Sequence, residues 1–256
     1  MNYSKNCLSY WFPLIKDVVP VPKTAIITTE LDLCVLLDNF KPVPGFDALV
    51  EQVSIEADKM GYPAFLRTGH TSGKHNWLNT CFIPDRDSIA QHILNLVEYS
   101  EMVDIFGLPY KVWVVREMLP TWSIGRAFDG MPVCREFRVF VDGASVKCCH
   151  EYWPEEAFKN GVPVGYNRMC ELADSERDTI YELASRAGKA VGGAWSVDIL
   201  ETTRRYPNHW YVTDMAVAED SWHWTDCPNS TTEKGLPTRT SGVASMIESI
   251  LTEEKQ

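Results

Sequence analysis

Residues 135–143 read Arg-Glu-Phe-Arg-Val-Phe-Val-Asp-Gly, and the chain runs on through Ala-Ser-Val-Lys-Cys-Cys-His-Glu-Tyr-Trp to position 153. Branched and aromatic residues on either side of an Asp-Gly pair predict a β-hairpin, with Asp142–Gly143 as its turn. On the first strand Glu136, Arg138 and Phe140 share one face, and Arg135, Phe137, Val139 and Val141 share the other, because strand side chains alternate. Two arginines within four residues of a strand are costly to bury unless each meets an anion. A salt bridge to Glu136 is one answer and a phosphate group is the other.

Two later strands carry the matching carboxylates. Trp195-Ser-Val-Asp198-Ile-Leu200 and Trp210-Tyr-Val-Thr-Asp214-Met-Ala216 are each apolar runs broken by one aspartate. A carboxylate on such a strand wants a cation. Salt bridges to Arg135 or Arg138 would satisfy Asp198 and Asp214. So would Mg²⁺, which takes one or two protein carboxylates plus phosphate oxygens.

Upstream, Arg67-Thr-Gly-His-Thr-Ser-Gly-Lys74 resembles a P-loop only on the surface. Three residues separate the glycines where that motif has four, and His75 follows where it has Ser or Thr. What remains is a glycine- and hydroxyl-rich loop whose N–H groups can approach phosphate, with Arg67 and Lys74 as cations at its ends. An exposed polar loop is the competing reading. Val114-Val-Arg-Glu-Met-Leu-Pro120 is an apolar strand ending in a short hinge of the kind that can read a purine edge with backbone groups; taken alone, the segment reads first as an ordinary strand end. His150 has no nearby Ser or Cys nucleophile signature and Gly-x-Ser-x-Gly is absent, while His209 and His223 read as loop or core histidines rather than ligands.

Composition bounds the rest. The chain has 256 residues, 45% of them hydrophobic, and a formal net charge of −11. That supports a sizeable core in one large domain or two close lobes. It argues against broad binding to nucleic acid or to an anionic membrane. No apolar run reaches membrane-spanning length, and Pro13 and Asp17 interrupt the opening stretch, which argues against a signal peptide. The eight cysteines include no Cys-x-x-Cys pair. Cys148 and Cys149 are adjacent and would face opposite sides of a strand. Reduced thiols in a cytoplasm are therefore expected, rather than a disulfide framework or a zinc site.

Periodicity predicts an irregular lead over residues 1–24, a strand at 24–29, a helix within 42–62 ended by Gly61, and a strand at 63–68. A helix follows over 85–99, capped by Asp85 or Asp87, then a strand at 110–119 and a loop over 121–131. After the hairpin come a helix over 175–193 with Ser175 and Asp178 as a capping box, two strands around Asp198 and Asp214, and a C-terminal helix at 241–254. The order is α+β with mostly antiparallel sheets.

Taken in order, the W-F-P-L-I-K lead, FLRTGHTSGKHNW, VWVVREMLP, REFRVFVDG, WSVDIL and WYVTDMA resemble the ATP-grasp superfamily. More narrowly they are similar to the cell-division-cycle-123-like proteins and to the phage and bacterial clade named for two arginines and a lysine. The resemblance covers roughly residues 10–220. It implies two α+β lobes clasping ATP, here 1–112 with a flexible lid loop and 113–256 with the metal-holding strands. It implies phosphate contacts from Arg67 and Lys74, adenine contacts from Glu117, Met118 and Leu119, and nucleotide or catalytic contacts from Arg135 and Arg138. Asp198 and Asp214 would hold Mg²⁺.

The sequence departs from the family in three places. Arg67 stands where many members have lysine. Asp214-Met-Ala216 replaces the usual Asp-x-Asn, which removes one oxygen ligand. The separate N-terminal substrate domain is absent or much reduced. The activity implied is that of an ATP-dependent carboxylate–amine ligase, working through an acyl phosphate on a small-molecule or peptide substrate. The alternative is a nucleotide-dependent assembly or binding protein with a protein partner. A lysyl-nucleotide nucleic-acid ligase is disfavoured, because no lysine stands in the Lys-x-Asp/Asn-Gly pattern. The resemblance places the chain in a bacterial or phage-infected host cytoplasm.

Overall fold

The computed structural model describes residues 4–38, 41–103, 107–158, 161–204 and 206–230. The predicted helix at 241–254 lies outside them. Two four-stranded antiparallel sheets form the body. The first comprises β1 (Thr24–Thr28), β2 (Ala64–Thr68), β3 (Phe82–Ile83) and β4 (Val112–Glu117), in the order β1-β4-β2-β3. Helices α2 (Phe46–Met60) and α3 (Ile89–Met102) cover one side of it. Leu49, Val53 and Ala57 of α2 and Ile89, Ile93, Leu96 and Val97 of α3 pack there on Leu66, Trp113 and Val115. Their three- and four-residue spacing is what aligns them along one helix face.

The second sheet contains β7 (Glu136–Asp142), β8 (Ser145–Glu151), β9 (Ala194–Glu201) and β10 (Trp210–Val217), in the order β10-β9-β7-β8. Helix α5 (Asp174–Val191) lies over it and buries Ile180, Leu183, Ala184 and Ala187 against Phe137, Val139 and Val141. Gly188 lets α5 approach this closely: a Cβ there would sit 2.6 Å from Val141 Cγ2 and collide with the Gly143 carbonyl. A short helix, α4 (Tyr166–Cys170), precedes α5. Among the described residues no helix is long and apolar enough to cross a membrane.

The structure corrects several local expectations. The lead is not irregular: Leu8–Ile15 form helix α1, which buries Leu8, Trp11, Phe12 and Ile15 in the core of the second sheet. Pro13 does not prevent this, because it lies on the exposed side of a helix held by the apolar face. The loop over 121–131 contains strand β5 (Ser123–Ala127), which pairs with β6 (Met131–Cys134) as a separate ribbon. Asp142 pairs with Ser145, so the hairpin turn is Gly143–Ala144, with Gly143 at φ 54°. The first residue before α3 is Ser88, whose N–H donates to Asp85 Oδ1 over 3.0 Å; the aspartate supports the turn before the helix and is not its cap. Helix α5 starts one residue early, and Glu176, not Asp178, reaches back to accept from the Ala173 N–H over 3.1 Å.

The division placed at 112/113 runs through β4, which is hydrogen-bonded to β1 and β2 throughout. By sheet membership the chain changes lobes after Glu117, while α1 at its start packs on the second sheet.

Candidate functional site

Strand register builds the site. Arg138 of β7 pairs with Asp198 of β9, and Asp198 pairs in turn with Asp214 of β10. Directly opposed residues share a face, so the three side chains form a row across the sheet. A bulge between Val212 and Asp214 leaves Thr213 unpaired and re-aims the strand at this row, as bulges beside functional sites do. Arg138 grips Asp198 bidentately, at 2.7 and 2.8 Å. Asp198 is 6% exposed, whereas Asp214 keeps 41% of its side-chain surface.

The first sheet answers with cations. Arg67 of β2, 6% exposed, donates to Asp214 Oδ2 over 2.8 Å and so bridges the two sheets. Arg116 of β4 is buried; it donates to Thr24 Oγ1 over 3.0 Å and to the carbonyl of the bulged Thr213. Its remaining nitrogen, Nη2, is buried without a partner among the described residues. Lys74 forms no ion pair among the described residues and rests over the Tyr152 ring at 4.3 Å. Arg67, Lys74, Arg116, Asp198, Thr213 and Asp214 line one cleft. Its other end is apolar, with Phe65, Met118, Leu119, Met131 and Leu200. Met118 and Leu119 follow directly on β4 and lead the chain out of the first sheet along this apolar wall.

The charges are unevenly matched. Burial, then the Asp198 carboxylate, push Glu136 up to about 7 against the pull of Lys74, Arg138 and the Thr213 hydroxyl. Burial works to raise Asp214 too, but Arg67 outweighs it and holds that group below its ordinary value. Burial lowers Lys74, and burial with the nearby Arg67 brings Arg116 down to about 9. Three carboxylates, Glu136, Asp198 and Asp214, thus share the site with four cations, Arg67, Lys74, Arg116 and Arg138, and the surplus is positive. That surplus suits a polyphosphate anion, and the carboxylate oxygens beside it are donors of the kind Mg²⁺ takes, so the residues fit ATP with Mg²⁺.

Of the residues singled out by sequence, Arg67, Lys74, Glu117, Met118, Leu119, Asp198 and Asp214 all line the cleft. Arg138 stands just behind Asp198. Arg135 does not join them. It lies on the opposite side of the sheet, bound to Glu176 at 2.8 and 2.9 Å and flanked by the rings of Phe137 and Trp210. Glu117 turns its carboxylate to the Lys23 N–H (2.7 Å) and the Tyr206 hydroxyl. The loop expected to be a lid is tied down: Gly69 N–H donates to Val112 O, Leu8 N–H to Gly69 O, and Thr80 Oγ1 to Gly73 O, each at 2.8 Å.

Arg116, Glu136, Thr213 and Tyr152 were not singled out as site residues. Arg116 could have been found by the rule applied to Arg138, since it too is a cation inside an apolar strand.

No protein-family model matches the sequence, and no curated protein matches it. Solved structures do match. Cdc123 from Schizosaccharomyces pombe is 13% identical, covers 84% of this chain and 83% of its own, and has a TM-score of 0.53. The fold is that of the ATP-grasp proteins. Two other ATP-grasp structures are similar at lower scores. A RimK-domain protein from Sphaerobacter thermophilus is 14% identical over 83% of this chain, with a TM-score of 0.47. D-Alanine–D-alanine ligase from Bacillus anthracis is 11% identical over 96%, with a TM-score of 0.46. This chain spans 59% of the first and 64% of the second.

Proposed function

We propose that the cleft binds ATP with a divalent cation and that the protein is an ATP-dependent ligase joining a carboxylate to an amine. The observation that carries this reading is the row Arg138–Asp198–Asp214, faced across the cleft by Arg67, Lys74 and the half-satisfied Arg116. Met118 and Leu119, with Phe65, Met131 and Leu200 around them, form an apolar wall that suits the faces of adenine. Asp198 and Asp214 would hold the cation, with Glu136 beside them. ATP supplies the phosphoryl group that activates the carboxylate.

The protein's own residues bind, orient and neutralise charge, which is most of what phosphoryl transfer asks of a protein. Arg67 now pairs with Asp214, and Arg138 with Asp198. A triphosphate competes for such guanidinium groups, which leaves carboxylate lone pairs to a cation. Phosphate and metal should therefore bind cooperatively. Arg135, held by Glu176 on the other face, takes a structural part in this reading.

Calorimetric titration of Mg²⁺-ATP, Mg²⁺-ADP and Mg²⁺-GTP into the wild type, Lys74→Ala and Asp198→Ala tests the site. Selective adenine-nucleotide binding, weakened in both variants, is expected. ADP release on adding carboxylate and amine mixtures then tests the ligase. A second reading, a nucleotide-dependent assembly protein without turnover, is favoured by Ala216, which offers no oxygen to a second cation. Adenine-nucleotide binding without ADP release, and a peptide or protein retained only with ATP, would decide for it.

A further inference from the structure

Four side chains of metal-binding type meet at the outer edge of the second sheet. Cys148 and His150 lie two apart on edge strand β8 and so share a face. His223 and Cys227 come from the segment after β10. One ligand atom from each lies within 4.8 Å of the other three. Cys148 Sγ is 3.2 Å from His223 Nε2. The His223 ring stacks on Phe140 with centroids 3.8 Å apart, and His150 stands edge-on to it at 5.3 Å. His150 Nε2 is buried and has no hydrogen-bond partner among the described residues.

We propose that Cys148, His150, His223 and Cys227 form a structural zinc site. A tetrahedral ion with Zn–S of about 2.3 Å and Zn–N of about 2.0–2.1 Å needs donor atoms roughly 3.3–3.8 Å apart, a small contraction of the present cluster. Two thiolates with two imidazoles select zinc over the oxygen-loving ions, and four protein ligands leave no open position for catalysis. The adjacent cysteines that argued against zinc in the sequence are explained by alternation. Cys148 joins the site, while Cys149 turns to the other face and packs on the sheet's core. The signature is Cys-x-His with a distant His-x₃-Cys, which no search for Cys-x-x-Cys finds.

The other cluster of potential ligands, Glu176, Glu201 and His209, serves Arg135. Zinc binding would pin residues 223–227 to β8. The neighbouring Trp222 carbonyl accepts from Arg138 Nη1 at 3.3 Å, so the ion would also steady the arginine that clamps Asp198.

The test is elemental analysis of the full chain, purified reduced and without chelator. About one zinc per chain is expected in the wild type and in Cys149→Ser, and less than about a tenth in Cys148→Ser and Cys227→Ser. Should those variants fail to fold, alkylation of the folded wild type gives the same answer. Of its eight thiols, those at 148 and 227 should resist labelling until a chelator is added. Zinc well below one equivalent with both thiols freely labelled would overturn the proposal. So would a Cys148–Cys227 disulfide in the freshly purified chain, or full zinc content in folded Cys148→Ser and Cys227→Ser.

Discussion

Replacing Glu136 by glutamine should make the protein more stable at pH 8 and no more stable at pH 4.5. Burial and the Asp198 carboxylate raise Glu136 from 4.5 to about 7, and Lys74 and Arg138 recover only part of that. The folded state therefore holds this proton more tightly than the unfolded chain does. For an acid raised in this way the native state loses stability as pH climbs from the unfolded value through the folded one. The penalty is fully present above about pH 7. At about 1.4 kcal/mol per tenfold, a rise from 4.5 to about 7 amounts to roughly 3 kcal/mol. Glutamine keeps an acceptor for Thr213, which now donates to Glu136 Oε1 over 3.2 Å, and carries no charge. Urea unfolding of both proteins at pH 4.5, 6, 7 and 8 should give midpoints that coincide at the acid end and diverge to about 3 kcal/mol in favour of the variant. A variant that is less stable at pH 8, or a difference that ignores pH, would refute the electrostatic account. The same variant should bind Mg²⁺-ATP less tightly, since the repelled carboxylate is what a divalent cation would relieve; stability gained at a site at the expense of its function is a common exchange.

Asp198→Asn takes the bidentate partner from Arg138, leaves Glu136 and Asp214 as its remaining counter-charges, and should lose about 1–3 kcal/mol, whereas Asp198→Leu with Arg138→Met should recover most of it; urea midpoints of the three proteins decide this. Trp11→Ala empties a fully buried site between α1 and the second sheet and should cost about 3–5 kcal/mol, read by thermal or urea unfolding. Gly188→Ala drives a methyl group into Val141 and the hairpin carbonyl and should cost about 1–3 kcal/mol, read by urea unfolding.

Most strands of both sheets, three helices and the hairpin were legible from alternation, helical spacing and glycine stops. What escaped did so for physical reasons. Pro13 masked α1, although Leu8, Trp11, Phe12 and Ile15 have the spacing of a helix face. Ribbon β5–β6 has too few branched residues to announce itself. Arg116 sits in a strand buried along its whole length, and a strand covered on both sides shows no alternation to reveal which way a residue faces. The zinc-type cluster joins residues 75 apart, Cys148 and His223, and only the fold of the second sheet brings them together.

The two arginines of the hairpin show how far local rules reach. Alternation already set Arg135 and Arg138 on opposite faces, because three positions separate them. Family resemblance drew both toward phosphate. In the structure the strand's geometry prevails: Arg138 turns to Asp198 and the cleft, while Arg135 turns to Glu176 on α5. The cross-strand register, in contrast, was beyond any local rule. Asp198 and Asp214 oppose one another only because Thr213 is extruded as a bulge, and a one-residue slip of β10 would carry Asp214 to the other face. The carbonyl of that bulge is held by Arg116 from the opposite sheet. The pairing of the two carboxylates is thus a property of both lobes together, and Arg116→Ala should weaken Mg²⁺-ATP binding at the proposed site, read by calorimetric titration, without touching either aspartate.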